Sequence, residues 1–203
     1  MIYKQTTSTR RASAEKRRSI IDAAYNLVAR GGFHEASIRS TAEGAGISTG
    51  SVYSYFGNRD ELLAELFREL ASHEFAAVEE AVRAAAPGLE ASLAALIETF
   101  ADRALKAPVT AEALLFEPAS PLVEAERLKF RGRYHRLIVE IIDDGILNGT
   151  IPPQDSGVCA RAITGAISEA LMGRLSPTTP AQNQEDITNT IIRFCTRALG
   201  VTR

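Results

Sequence analysis

The 203-residue chain has no tryptophan, two cysteines, two methionines and three histidines. Each shortage narrows what the protein can be. Cys159 and Cys195 sit inside apolar helical patterns and read as buried, reduced thiols rather than as a disulfide framework or redox pair. His34, His73 and His135 are far apart, and none has a second His or Cys at ligand spacing, so no metal site is expected. No G-x-S-x-G, C-x-x-C or phosphate-cradling glycine loop occurs, so the sequence offers no catalytic residues and implies no cofactor. A run of eighteen apolar residues is also missing, and the charged N-terminus has no apolar segment behind it, so neither a membrane span nor secretion is supported. A cytoplasmic protein is expected.

What is present is a chain with 45% apolar residues, enough for a sizeable core, and an uneven charge. Residues 1–60 carry nine Lys or Arg and five acids, a balance of +4 that leaves −6 for the remainder. A basic end on an acidic body suits contact with a polyanion at that end, although a merely solvated arm would have the same composition.

The stretch from Ser37 to Leu62 organises the rest. Ser37 is placed to cap a helix of about two turns whose Ile38, Ala42 and Ala45 share a face. Gly46 falls where that helix needs a left-handed residue to end. Ser48 then caps a second helix, expected over Thr49–Phe56, with Val52 and Phe56 on its inner face and a small, polar first turn. Short side chains at a helix start allow close approach to a major groove. The spacing is that of a helix-turn-helix.

The run A-x-x-A-G-I-S-x-G-x-V-Y-x-Y-F-x-x-R-x-x-L, from Ala42 to Leu62, resembles the DNA-binding signature of the tetracycline-repressor (TetR) family of one-component regulators. The close resemblance covers about the first third of the chain. Three positions stand out against the family pattern: Thr41 replaces a frequent Ile, Tyr55 takes the usual His or Tyr position, and Arg59 stands for Lys. The resemblance implies an all-α homodimer that binds double-stranded operator DNA, with a palindromic site, and acts as a repressor released by a small molecule. Within the head, Thr49, Gly50 and Tyr53 are expected to face the groove, with Arg39 on the preceding helix able to reach a base edge. Ser37, Ser48, Tyr55 and Arg59 are expected mainly on phosphates, and Ser51 and Ser54 complete the DNA-facing set.

Around this unit the sequence predicts a flexible basic arm over residues 1–13, a helix-turn-helix domain over 14–57 and a helical effector-binding and dimerisation domain over 58–203. Lys16, Arg17 and Arg18, near the start of a first amphipathic helix, are placed to meet phosphate. A long helix from about Arg59 joins head to body. Further helices follow through Leu93–Leu105, Ala111–Phe116, Pro121–Ile146 and Asp155–Leu171, and the last contains Ile187 to Leu199. Small residues Ala162, Gly165 and Ala166, with Ile191 and Cys195 on the last helix, are expected to pair with a symmetry mate as a four-helix bundle. A hairpin packed within one chain would carry the same pattern. The loop Ser176–Asn183 joins the two helices.

If the body holds a ligand pocket, Phe100, Arg103, Phe116, Arg131, Tyr134, His135 and Met172 are the candidates, being aromatic, polar or flexible residues in otherwise aliphatic helices. An unidentified small, mostly apolar effector would suit them, with Arg131 or His135 orienting a polar group. Two alternatives stay open: a DNA-binding dimer without effector, and a helical carrier or enzyme that kept the head as a vestige.

Overall fold

The computed structural model describes residues 7–173, 175 and 184–201, which form nine α-helices and one 3-10 turn and contain no strand. The loop expected over Ser176–Asn183 lies outside the described residues. The head is α1 (Thr7–Gly31), the 3-10 turn Phe33–Glu35, α2 (Ile38–Gly44) and α3 (Thr49–Tyr53). The long α4 (Arg59–Ala84) leads into a body of α5 (Leu89–Lys106), α6 (Pro108–Leu115), α7 (Pro121–Leu147), α8 (Ser156–Leu171) and α9 (Gln184–Ala198).

Two boundaries differ from the sequence expectation. The arm foreseen over 1–13 is helical from Thr7, where an Arg11–Glu15 pair at 3.0 Å gives (i, i+4) support and Ala12 and Ala14 favour helix. The second helix of the head stops at Tyr53 rather than Phe56, because Ser54 turns its hydroxyl back to Gly50 O at 3.0 Å and the chain unwinds.

The apolar interior has two parts. One gathers Ile20, Ala24, Val28, Phe33, Val52 and Phe56 of the head with Leu62, Leu66 and Phe67 of α4, and it continues into Leu114 of α6 and Phe130 of α7. The other lies deeper in the body, where Leu93, Leu96, Ile97, Ile142, Leu171 and Cys195 pack together. Helix α4 contributes to both, with Leu62 at its head end and Val78 at its body end. A tilt of this one rod therefore moves head and body relative to each other.

Candidate nucleic-acid interface and interior cavity

Helices α2 and α3 each start on a serine cap. Ser37 Oγ accepts from Ser40 N at 3.0 Å, while Ser40 Oγ accepts from Ser37 N, a reciprocal capping box. Gly46, at φ +66°, ends α2 where no side chain would clash, so the backbone conformation alone demands glycine. Ser48 Oγ accepts from Ser51 N at 3.2 Å and starts α3. Val52 and Phe56 are buried beneath it, which turns Thr49, Gly50, Tyr53 and Ser54 outward, and Tyr53 is 54% exposed. Helix α3 carries no charge, so any reading of bases there rests on hydroxyls, backbone and ring faces. Ser51 and Tyr55 are half-buried, with Tyr55 packed on the head core.

Charged residues around α3 divide into free and committed. Arg39 stands on the surface of α2 and pairs only with Glu43 of its own helix at 3.0 Å. Arg59 behaves otherwise than expected: its Nε donates to Ala36 O at 2.9 Å and its Nη2 to Phe33 O, so the guanidinium closes the α1–α2 corner instead of standing free for a phosphate. A planar fork with five donors fits two convergent carbonyls. Arg17 and Arg18 are likewise engaged. Arg17 grips Glu65 with both terminal nitrogens and lies 4.8 Å above the Phe56 ring; Arg18 pairs with Asp22 at 2.8 Å and Glu69 at 2.9 Å. These contacts lock α1 onto α4 and fix the aromatic residue that follows α3. Lys16 remains exposed. The sequence pattern gave no sign of the pairings with Glu65 and Glu69, because those acids lie on a helix some fifty residues away.

A second locking point joins head to body. Glu117, after α6, accepts from Phe33 N at 2.7 Å and from His34 N at 3.1 Å. Gly32, at φ +90°, leaves room for this carboxylate, since a Cβ there would lie 2.4 Å from Glu117 Oε2. Glu117 is in turn held by its own carbonyl, which accepts from Arg127 Nη2 at 2.7 Å. Arg127, 8% exposed, also donates to Leu114 O at 2.9 Å and Ala113 O at 3.1 Å and pairs with Glu124. One buried arginine thus collects the open C-terminal carbonyls of α6.

Arg127 also borders an interior cavity of about 130 Å³ between α4, α5, α6, α7 and α8. Of the residues singled out from sequence, Phe100, Arg103, Arg131 and Tyr134 line it. Arg103 is bound to Glu74 at 2.5 and 2.9 Å, and the Tyr134 ring stands edge-on to Phe75 and Phe100, with centroids 5.0 and 5.5 Å away. Burial, then the neighbouring Glu74 charge, raises the Tyr134 phenol well above its ordinary pKa, so it stays a neutral donor. Phe116 and Met172 line an adjoining recess of about 270 Å³, which Arg127 and Arg131 share with the inner cavity. His135 lines neither space: its Nε2 lies 3.0 Å from Gly157 O, where it ties α7 to the start of α8.

The expected pairing face is also altered. Ala162 is exposed, Ala166 half-buried, and a Cβ at Gly165 would meet nothing within 4 Å, so this side of α8 opens away from the protomer. Ile191 and Cys195 turn the other way, into the protomer's own core, at 5% and 0% exposure. Burial pushes the Cys195 thiol up to about 11, which leaves it unreactive. From α9 it is Phe194, 59% exposed, that stands outward, as do Val158 of α8 and Met172 at its end. Among the described residues no group of His, Cys, Asp and Glu could hold a metal ion, and no helix is long and apolar enough to cross a membrane.

A capped, uncharged helix presented on a clamped three-helix head defines a helix-turn-helix protein. Residues 20–66 match the family model of bacterial regulatory proteins, tetR family, which places the head among the DNA-binding domains of that family. Among curated relatives, the fatty acid metabolism regulator protein of Bacillus subtilis is 34% identical over 71 residues, 35% of this chain and 37% of that protein, so the match spans little more than a third of that relative's length. The HTH-type transcriptional repressor KstR2 of Rhodococcus jostii is 28% identical over 141 residues, 66% of this chain and 67% of the repressor. Among solved structures, FadR of Bacillus subtilis in complex with stearoyl-CoA has a TM-score of 0.77 at 21% identity, covering 92% of this chain and 99% of that one. FadR of Bacillus halodurans gives 0.73, also at 21% identity, covering 92% and 99%. At that identity the structural likeness establishes the shared fold.

Proposed function

We propose that the protein is a cytoplasmic transcriptional repressor that dimerises through the open side of α8 and α9, binds a palindromic operator with two copies of α3, and leaves DNA when an apolar effector enters the body cavity. The observation that carries this reading is the dual role of α4. Phe67 of α4 packs in the head core and also lines the cavity, and Ala71, Glu74 and Val78 continue that lining along the same helix. Whatever fills the cavity presses on the rod that carries the head. The reading gives the chain no catalytic role.

At the DNA, Thr49, Gly50 and Tyr53 meet the groove, Arg39 reaches a base edge, and Ser37, Ser48, Ser51, Ser54 and Tyr55 serve the backbone. Arg59 acts indirectly, by holding the corner from which α2 starts. Domain limits follow function: 14–57 reads DNA and 58–203 senses and dimerises, with the α1 extension from Thr7 beside the DNA.

The cavity's size bears on the mechanism. A dry cavity of about 150 Å³ in another protein accommodates benzene. The present one, about 130 Å³, therefore holds a ring-sized or short-chain group without rearrangement. A long acyl chain of the kind carried by the stearoyl-CoA bound to the Bacillus subtilis structure would have to part the helices around it. That requirement makes such a chain an effective inducer, because a ligand shifts an equilibrium only by its difference in affinity for the two states.

The test is binding to the chain's own upstream DNA, followed by fluorescence anisotropy at two salt concentrations with nonspecific competitor. Competitor-resistant binding that weakens with salt and is reversed by a long-chain acyl ligand is expected. Arg39→Ala should cost about 1–3 kcal/mol at one base pair if its contact is bidentate. Failure to bind any upstream fragment at low salt, after removal of co-purified ligand, would overturn the reading.

A further inference from the structure

Most charged groups near the cavity are spoken for. Glu74 and Arg103 neutralise each other, and Arg127 is saturated by Glu124 and three carbonyls. Arg131 differs: it is exposed, borders both the inner cavity and the outer recess, and has no ion pair or hydrogen-bond partner among the described residues. Since Arg127 and Glu124 cancel, the recess carries one uncompensated positive charge where the apolar chamber meets solvent. Its remaining wall, Phe116, Leu128 and Met172, is apolar and adaptable.

An uncharged effector would leave this guanidinium unused. We propose that Arg131 is the anchor for an anionic head group, so that the effector is an amphipathic anion with its alkyl chain in the chamber and its charge in the recess. This rests on the reading that the chamber takes an acyl chain. Two sources supply such an ion, a free long-chain carboxylate and an acyl thioester whose phosphate-bearing carrier projects into solvent. The openness of the recess favours the second. Exposure of Arg131 at its mouth lets a bulky charged group keep its hydration outside. A charge-assisted bond to phosphate from a planar guanidinium also holds direction, which a point charge does not.

The experiment uses the full-length protein and its Arg131→Gln and Arg131→Lys variants, with calorimetric binding of stearoyl-CoA, stearate, octadecanol and coenzyme A alone. Expected for the wild type is binding of stearoyl-CoA, weaker binding of octadecanol and none of coenzyme A. Arg131→Gln should weaken stearoyl-CoA by about tenfold and leave octadecanol unchanged, with partial recovery in Arg131→Lys. A larger loss for stearate than for stearoyl-CoA would retain the anchor and identify the free carboxylate as its source. If octadecanol weakens as much as the charged ligands, or if stearoyl-CoA is unaffected by Arg131→Gln, the anchor is overturned while the acyl-chain reading stands. Failure of the wild type to bind any of the three alkyl ligands would overturn the acyl-chain reading, and the anchor with it. Urea midpoints of the three proteins, expected to coincide, separate these results from misfolding.

Discussion

The head and the cavity-bearing body are both helical, yet they are secured by different means. In the head and at its exit, α2, α3 and α4 each begin on a side chain that accepts a backbone N–H: Ser37, Ser48 and Asn58. In the body, α5, α6 and α7 begin on Gly88, Ala107 and Ser120 with no such bond, and of the helices α5 to α8 only α8 has one, from Asp155. A cap contributes about 1 kcal/mol, so the head's short helices are held where propensity alone would not hold them. The body relies on packing, and at its centre that packing leaves a void. Head and body are joined by α4, by Leu114 of α6 and Phe130 of α7 packed on the head core, and by the Glu117 bonds to Phe33 and His34, with Glu117 held by Arg127.

The largest expected effect comes from removing the joint at its body end. Arg127→Met leaves the carbonyls of Ala113, Leu114 and Glu117 without their donor, and should lower stability by about 3 kcal/mol. Equilibrium urea unfolding measures it; a loss under about 1 kcal/mol would mean that water replaces the arginine and α6 is not held this way. Glu117→Gln acts at the head end. It removes the charge from the bonds to Phe33 N and His34 N and should cost about 1–2 kcal/mol. Amide exchange should quicken at those two residues while Val52 stays protected. Uniform quickening across the head would erase the distinction between a capped head and its mounting.

The same contrast explains what could be read from the residues in order. The head's turns depend on neighbours three or four positions apart, so Ser37, Gly46 and Ser48 announced their places directly, as did the buried Val52 and Phe56. The helices of the body were visible in their apolar period, and with them Phe100, Arg103, Arg131 and Tyr134 as polar or aromatic departures that line the cavity. What stayed hidden depends on distant partners. Arg59 and Arg17 read as phosphate ligands because the carbonyls of Phe33 and Ala36 and the carboxylate of Glu65 become their neighbours only on folding. Ile191 and Cys195 sit on a face that either α5 or a second chain could cover, and periodicity does not say which. Glu117 and Arg127 gave no signal at all: one lies in a short loop, the other in a helix full of arginines.

A smaller effect tests how complete the head's packing is. Thr41, where the family pattern often has Ile, is 0% exposed, and its Oγ1 has no hydrogen-bond partner among the described residues. An orphaned hydroxyl in an apolar site costs about 1–3 kcal/mol, and valine has nearly the same shape. Thr41→Val should therefore stabilise the protein by about 1 kcal/mol and raise Tm by about 2–4 °C, with operator affinity unchanged. A destabilised variant would show that the hydroxyl has a partner after all, and that the head is less purely apolar than the contrast requires.

The smallest effect lies on the seam between α4 and α7, where Glu126 accepts from Arg68 at 3.1 Å and from Lys129 at 2.8 Å. The hydrogen bond from Arg68, then that from Lys129, hold the carboxyl below its ordinary pKa against the opposing effect of burial. A depressed folded-state pKa means stability that is fully present above the unfolded carboxylate range, near about 4.3, and is lost as pH falls through the lower folded value. Because Arg68 is half-exposed, the contribution should be under about 1 kcal/mol. Wild type should exceed Glu126→Gln in urea midpoint at about pH 6, and the gap should close towards about pH 3. A gap independent of pH would assign Glu126 a packing role. One that closes on acidification marks the Glu126 contact between α4 and α7 as electrostatic, a weak and adjustable contact beside the Arg127–Glu117 joint, which is the behaviour the proposed tilt of α4 requires.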